Sequence, residues 1–279
     1  MVTPKSKEKF VGFVDILGFS QQVEWREHDD ELSINDLLKA AEALGSDKDK
    51  RDIEIDGPTL CPDAKKIQKN LDFQITKVSD CVVVSAELSP AGALAVVFHC
   101  WKAVLRLMIE GFMCRGHIRR GNIYHDGSRF IGTAFQDAYK AEGNVSAFRT
   151  DDKESGTPYV ELDASITDYV LGCNDECVIE QFKDLTIEDD GTYVLFPFGQ
   201  FVRMSQPNSE TTLHKLRRDI NLIKNQIQAV IDTVENNVNP SNAKAWRKGQ
   251  HYINALRRER ERAENQYKMF ERLQTPFPS

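Results

Sequence analysis

The chain has 279 residues, 41% of them hydrophobic, enough for a sizeable core in one large domain or one domain with an appendage. Its net charge of −7 excludes the capture of polyanions by an overall field, so any phosphate-bearing ligand must be met by cations or a local basic cluster. No apolar run reads as long enough to span a bilayer, and Met1 to Lys9 is polar with no apolar signal-peptide core behind it, so a cytosolic protein with no membrane partner is expected.

In chain order, Lys9 to Asp15 is a short apolar run ending at an acid and predicts a strand. Ile34, Leu37, Leu38, Ala41 and Leu44 have helical spacing. Gly45 to Pro62 is charged and carries Gly and Pro, which predicts a loop or insertion. Phe73 to Val78 and Cys81 to Ala86 read as two strands joined by Ser79-Asp80, a hairpin signature. Ser89-Pro90 supplies an N-cap and a proline at the first helical position, and Leu94, Val97, Trp101, Val104 and Met108 trace one face of the helix behind it. Gly111 should end that helix. Cys114 to Tyr124 returns as a strand, Thr133 to Phe148 as a helix, and Tyr159-Val160 and Tyr193 to Phe198 as further strands. The order predicts an α+β fold resembling the ferredoxin-like motif, an antiparallel sheet with helices on one face.

The character changes at Ser209, where a second domain, 209–279, is expected to follow the first, 1–208. Residues 209–279 carry 13 Lys and Arg against 8 Asp and Glu, net +5, which leaves −12 for 1–208. Leu213, Leu216, Ile220, Ile223, Ile227, Val230 and Val234 alternate spacings of three and four, a heptad seam. Asn236 to Ser241 reads as a turn with Ser241 as the next N-cap, and Trp246, Gly249, Ile253, Leu256, Arg260, Ala263, Tyr267 and Phe270 repeat the pattern. The expectation is a helical hairpin for packing or dimerisation. Lys and Arg in it alternate with Glu at salt-bridge spacing, which argues against a nucleic-acid surface.

The six cysteines (Cys61, Cys81, Cys100, Cys114, Cys173 and Cys177) lack zinc spacing, and three lie in apolar runs. No Ser-His-Asp order and no Gly-Lys-Ser/Thr phosphate loop is present. Two acids stand out instead. Asp15 closes the first strand and Asp80 tips the hairpin that should lie beside it, so both carboxylates can meet at one end of the sheet. Paired carboxylates hold divalent ions about 3.5 to 4 Å apart, the geometry that clamps the oxygens of an in-line displacement. Gly18-Phe19-Ser20 leads into a helix start, where backbone N–H groups can cradle phosphate. The plain alternative is a turn aspartate at 80 and a cap at 15.

The run Phe13-Val14-Asp15-Ile16-Leu17-Gly18-Phe19-Ser20 resembles the first signature of class III nucleotidyl cyclases. Ser79-Asp80 stands where that family has Gly-Asp. Arg115-Gly116 to Gly121, then Gly132, then Gln136, Lys140 and Glu142 resemble its third signature, in which the helix carries Asn and Arg. The resemblance covers Lys9 to about Glu142. It implies that Asp15, Asp80 and the carbonyl of Ile16 bind two Mg²⁺ or Mn²⁺ ions, and that Gly18, Phe19 and Ser20 hold phosphate. It also implies that Gln136 orients the ribose and Lys140 meets charge on the transferring phosphate, as a point charge where the family has a planar fork. The base-reading positions fall on Thr76 and Arg129, a pair matching neither adenine nor guanine readers. Arg129 donates only, which suits the acceptors of uracil or cytosine; as a plain loop residue it would be solvated. The bacterial pyrimidine cyclases of anti-phage defence (Pycsar systems) are similar in Arg115-Gly116 and in the helix with Ala138, Tyr139 and Glu142. The resemblance thus implies UTP or CTP as substrate, a homodimer sharing its active sites, and a separate effector that reads the product. A purine cyclase and a catalytically silent nucleotide-binding scaffold remain the alternatives.

Overall fold

The computed structural model describes residues 4–28, 34–56, 70–151, 154, 156–203 and 212–274. Within them the chain divides into two compact units, Met1–Pro197 and Phe198–Ser279, a junction earlier than the 208/209 read from the sequence.

The first unit opens with β1 (Lys7–Ile16), α1 (Phe19–His28), α2 (Ile34–Ala43) and α3 (Asp47–Asp56). The hairpin β2 (Gln74–Val78) and β3 (Cys81–Glu87) leads into α4 (Pro90–Ile109), then β4 (Cys114–Asp126), β5 (Arg129–Ile131) and α5 (Thr133–Glu142). β6 (Val160–Leu162), α6 (Ala164–Leu171), α7 (Glu176–Leu185), β7 (Thr186–Asp189) and β8 (Thr192–Leu195) complete it. The strands form one sheet in the order β2-β3-β1-β4-β6-β8-β7, with β5 hydrogen-bonded to the end of β4. The first four strands have the expected α+β, ferredoxin-like arrangement. The sheet is mixed, because β4 and β6 run parallel while its other pairs are antiparallel.

Strand alternation splits the core between the two faces. Phe10, Val14 and Ile16 pack with Leu94, Val97 and Leu107 of α4 on one face. Val11 and Phe13 pack with Val83, Ile123, Ala134 and Ala138 on the other, so α5 covers the face opposite α4. Gly12 permits the approach of α4: a Cβ there would lie 2.8 Å from Cys100 Sγ. The Ser89 hydroxyl caps α4 by accepting the Gly92 N–H at 3.0 Å, as its Ser-Pro start predicts. By length and composition α4 could cross a membrane, contrary to the sequence expectation, but 72% of its apolar window is buried inside this unit. It is the core helix of the sheet.

Three local expectations are corrected. The segment after Gly45 is helical over Asp47–Asp56 because Ser46 and Asp49 form a reciprocal cap: the Ser46 N–H donates to Asp49 at 3.0 Å and the Asp49 N–H to Ser46 Oγ at 3.3 Å. The rest of the predicted loop, together with Cys61, lies outside the described residues. α5 stops at Glu142, not Phe148: Gly143 is its C-cap, and Phe148 takes a φ of +56° outside any helix. The last predicted strand ends at Leu195, before a 3₁₀ turn begins at Pro197, a residue with no N–H to give a ladder.

The second unit holds α8 (Gln200–Arg203) and the long helices α9 (Leu213–Asn237) and α10 (Ala243–Gln274). The seam is as read from the heptads: Leu216, Ile220, Ile223, Ile227, Val230 and Val234 are buried, as are Ile253, Leu256 and Ala263 of α10. Trp246 is not part of it and is 38% exposed. The cap of α10 is Asn242, which accepts the Ala245 N–H at 3.1 Å, and not Ser241. Lys224–Glu264 at 3.4 Å and Arg257–Glu235 at 3.7 Å pair across the two helices, so part of the basic charge is neutralised within the hairpin.

Candidate active site

β1 runs antiparallel to β3 with Asp15 opposite Cys81, and antiparallel to β4 with Asp15 opposite Arg115. One step beyond that register, the Ile16 N–H donates to the Asp80 carbonyl at 2.9 Å, which pins the β2–β3 turn against the end of β1. Ser79 turns the hairpin at a φ of +55°, a conformation glycine adopts at lower cost. The two acids therefore stand at the same end of neighbouring strands.

The surroundings disfavour negative charge on Asp15. Burial pushes its pKa up to about 7, and the carboxylates of Asp80 and Glu142 add to the effect against a weaker opposing pull from Arg115. Burial first, then Asp15 and Asp80, likewise push the Cys81 thiol up to about 11. Hard carboxylate oxygens crowded together in this way suit a divalent cation, which relieves the repulsion each would otherwise feel. Among the described residues no group of three or more His, Cys, Asp or Glu is placed to hold a metal. The two carboxylates stand with the Ile16 backbone at the end of β1. Beyond it, Gly18 takes a φ of +72° with open space where a Cβ would be, and the chain turns into α1 with Phe19 and Ser20 in its first turn. The first N–H groups of a helix have no partner inside it, which is what an anion needs.

On α5, Ala134 and Ala138 face the sheet while Gln136 and Lys140, one turn apart, are exposed. Among the described residues, no ion pair or hydrogen bond joins their side chains to Asp15 or Asp80 of the same chain. Glu142, at the end of the same helix, is buried and pairs with Arg115. That pair sits beside Asp15, with Arg115 opposite it in the β1–β4 register. Phe13 of β1 stacks edge-on against Phe135 and Tyr139, at 6.0 and 5.5 Å between ring centroids, which fixes the rotation of α5 over the acid-bearing strand.

Thr76 and Arg129 lie near the turn between β4 and β5 but are held differently. Thr76 is buried, donates its hydroxyl proton to the Gly127 carbonyl, and meets His125 Nε2 at 2.9 Å. Ser85 Oγ lies 2.9 Å from the other ring nitrogen, Nδ1. Because the Thr76 proton is committed to Gly127, Thr76 accepts from His125 Nε2–H, and the neutral ring then accepts at Nδ1 from Ser85. Burial above all, with Lys9 and Lys50 adding to it, lowers the His125 pKa to about 4, so the ring is neutral near pH 7. Arg129 is exposed and donates to Asp126 at 2.9 Å and to the Tyr124 hydroxyl at 3.5 Å.

The histidines are where the sequence reading misses most. His117 and His125 lie near the two ends of the strand predicted over Cys114 to Tyr124, where either could face solvent by its position, yet both are buried. The available signal is the alternation along β4: both are odd-numbered, as is Ile123, which packs beneath α5. Burial lowers the His117 pKa as well.

No family model and no curated protein matches the sequence. Among solved structures the chain is similar to the catalytic core of a rhodopsin-guanylyl cyclase with converted specificity, in complex with ATPαS. That match has a TM-score of 0.36 and 13% identity, and covers 70% of this chain and 98% of that one. It is also similar to a class III adenylyl cyclase-like ATP-binding protein from Pseudomonas aeruginosa, with a TM-score of 0.35 and 12% identity over 64% of this chain and 40% of that one.

Proposed function

We propose that the first unit is a metal-dependent nucleotidyl cyclase that converts a pyrimidine nucleoside triphosphate, UTP or CTP, into its 3′,5′-cyclic monophosphate and pyrophosphate. The observation that carries this reading is the meeting of Asp15 and Asp80 at one strand end, next to a helix start that follows Gly18.

Asp15, Asp80 and the Ile16 carbonyl would hold two Mg²⁺ or Mn²⁺ ions, which when bound supply charge neutralisation of the triphosphate and acidify the ribose 3′-hydroxyl. The N–H groups of the Gly18–Ser20 segment receive the phosphate chain. The 3′ oxygen forms its bond to the α-phosphorus as the bond to pyrophosphate breaks. Lys140 places its ammonium where charge develops on the α-phosphate, and Gln136 orients the ribose. Both are exposed on α5, so they serve the acids of a second copy in a homodimer with shared sites. Thr76 and Arg129 read the base. Most of the rate enhancement is positioning and charge stabilisation. The product is a second messenger for a separate effector, in keeping with a role in anti-phage defence.

The test is incubation of the protein with each of the four nucleoside triphosphates and Mn²⁺, reading cyclic product. UTP or CTP should be cyclised, and Asp15→Ala and Asp80→Ala should each leave less than about a tenth of the rate, a loss beyond the 1.4 kcal/mol of one decade. A purine preference would remove the pyrimidine assignment and leave the cyclase. No product from any of the four would leave a silent nucleotide-binding domain.

A further inference from the structure

A cavity of about 800 Å³ opens at the β2 edge of the sheet, between the α2–α3 corner and the turn joining β4 to β5. Four cations line it, Lys48, Lys50, Arg51 and Lys77, against two acids, Glu42 and Asp47. In a unit with a large excess of acids, this is a local reversal of sign. Lys50 is held by Gln74 Oε1 at 2.9 Å and by Glu54 at 3.9 Å. Lys48, Arg51 and Lys77 are exposed, with no side-chain hydrogen bond or ion pair among the described residues.

Both walls of the cavity are fixed by buried polar networks. On one side, Asp49 of α3 is buried and takes Lys102 at 3.0 Å and both guanidinium nitrogens of Arg106 at 3.0 and 2.9 Å. That clamp docks the first turn of α3 on α4 and sets where Lys48, Lys50 and Arg51 stand. On the other side, the chain from Ser85 through His125 and Thr76 to the Gly127 carbonyl holds the β4–β5 turn against β2, where Lys77 follows Thr76. Surface lysines on mobile segments would lose rotamer freedom on binding, but here the backbone that carries them is already fixed, so less remains to be ordered.

We infer that this cavity binds a small, multiply charged phosphate anion, and does so without the metal acids. Four cations around a volume of this size match several phosphate charges and exceed what one carboxylate would need. Neither Asp15 nor Asp80 lines the cavity. The cavity shares Thr76 with the proposed base-reading corner, but the inference does not rest on the cyclase reading.

The test is isothermal titration of the full chain with sodium tripolyphosphate and, separately, with UTP, both in EDTA and at low salt. Saturable binding of at least one probe is expected. Arg51→Glu and Lys77→Glu should each weaken it at least tenfold with unchanged melting temperature, and Asp15→Asn should leave it intact. Tighter binding of UTP than of tripolyphosphate would give the nucleoside a share of the recognition; equal affinities would give it to the phosphates alone. Absence of binding up to millimolar concentration overturns the inference. So do charge-reversed variants that bind as wild type does, and binding that appears only with Mn²⁺ and is lost in Asp15→Asn. A failed cyclase assay beside intact metal-free binding would remove the proposed function and keep this site.

Discussion

Asp15→Asn should stabilise the metal-free protein while disabling it. The carboxyl of Asp15 has its pKa raised from 3.8 to about 7 by burial and by the neighbouring charges of Asp80 and Glu142. Between those two values the unfolded chain releases a proton that the folded chain keeps, so the folded state loses relative stability as pH rises through that window. At about 1.36 kcal/mol per unit the full shift amounts to roughly 4 kcal/mol, and because Asp15 is only half-buried, solvent screening reduces the expectation to about 2 kcal/mol. An amide cannot ionise and escapes the penalty. Urea denaturation in EDTA at a series of pH values should show no gain for the variant near pH 4 and a gain rising to a plateau above pH 7. The comparison cancels every other titrating group, provided the two proteins unfold in the same way. Adding Mn²⁺ should reverse the order, because only the wild type gains ligand stabilisation through an intact acid pair. A variant no more stable than wild type at pH 8, or a gain independent of pH, would refute the electrostatic account of this corner.

The remaining predictions follow from other parts of the structure. Lys140→Ala should lower kcat far more than it raises KM, because the charge it meets exists only in the transition state; steady-state kinetics that show a raised KM at unchanged kcat would make it a ground-state contact. A purified heterodimer of Asp15→Ala and Lys140→Ala chains should recover about half of wild-type activity, and none at all would refute the shared site. Arg129→Ala should erase most of an at least tenfold preference in kcat/KM for UTP or CTP over purines, since the loss of one charged donor is that large. A preference that survives the change would assign selectivity to the size of the pocket. Burial holds both His99 and His125 near pKa 4, below the usual 6.5, so their contribution to stability is complete above pH 6.5 and is lost as pH falls towards 4. In the Asp15→Asn background, urea stability at pH 4.5 should fall below that at pH 7 by about 2 kcal/mol per histidine, and a flat profile would contradict their burial as neutral rings.

The parts of the fold that follow one periodicity were legible. The apolar run of Phe10 to Val14, the Ser89-Pro90 start and the spacing of three and four from Leu216 to Val234 each answer to a local rule, and each element formed where the rule puts it. α3 was not legible by that route, because its charged sequence has almost no apolar face. What folds it is a reciprocal cap and a long-range clamp from Asp49 to Lys102 and Arg106. α6, α7 and β7 were missed for a related reason: a run such as Thr186–Asp189 becomes a strand only when Thr192–Leu195 is there to pair with it. The closeness of the two acids was legible because one closes a strand and the other tips the hairpin beside it. The partners of the buried His125 were not legible, since nothing near position 125 announces that Thr76 and Ser85 will stand on either side of its ring.

Under the proposed function, that ring constrains what Thr76 can recognise in a base. The proton order along Ser85, His125, Thr76 and Gly127 leaves the Thr76 oxygen with no proton to give and one lone pair to offer. A group that meets Thr76 must therefore be a donor, while Arg129 supplies donors alone. If the proposed function holds, uracil N3–H beside its carbonyls or the cytosine N4 amine beside N3 would meet both groups; adenine and guanine also offer a donor beside an acceptor, so pocket size must share in the choice. The ion pair of Arg129 with Asp126 is no obstacle, because both side chains are largely exposed, 71% and 60%, and such pairs contribute little. Selection at this corner then depends on the turn from Asp126 to Arg129 holding its place, and the buried polar chain that ends on Gly127 is what holds it.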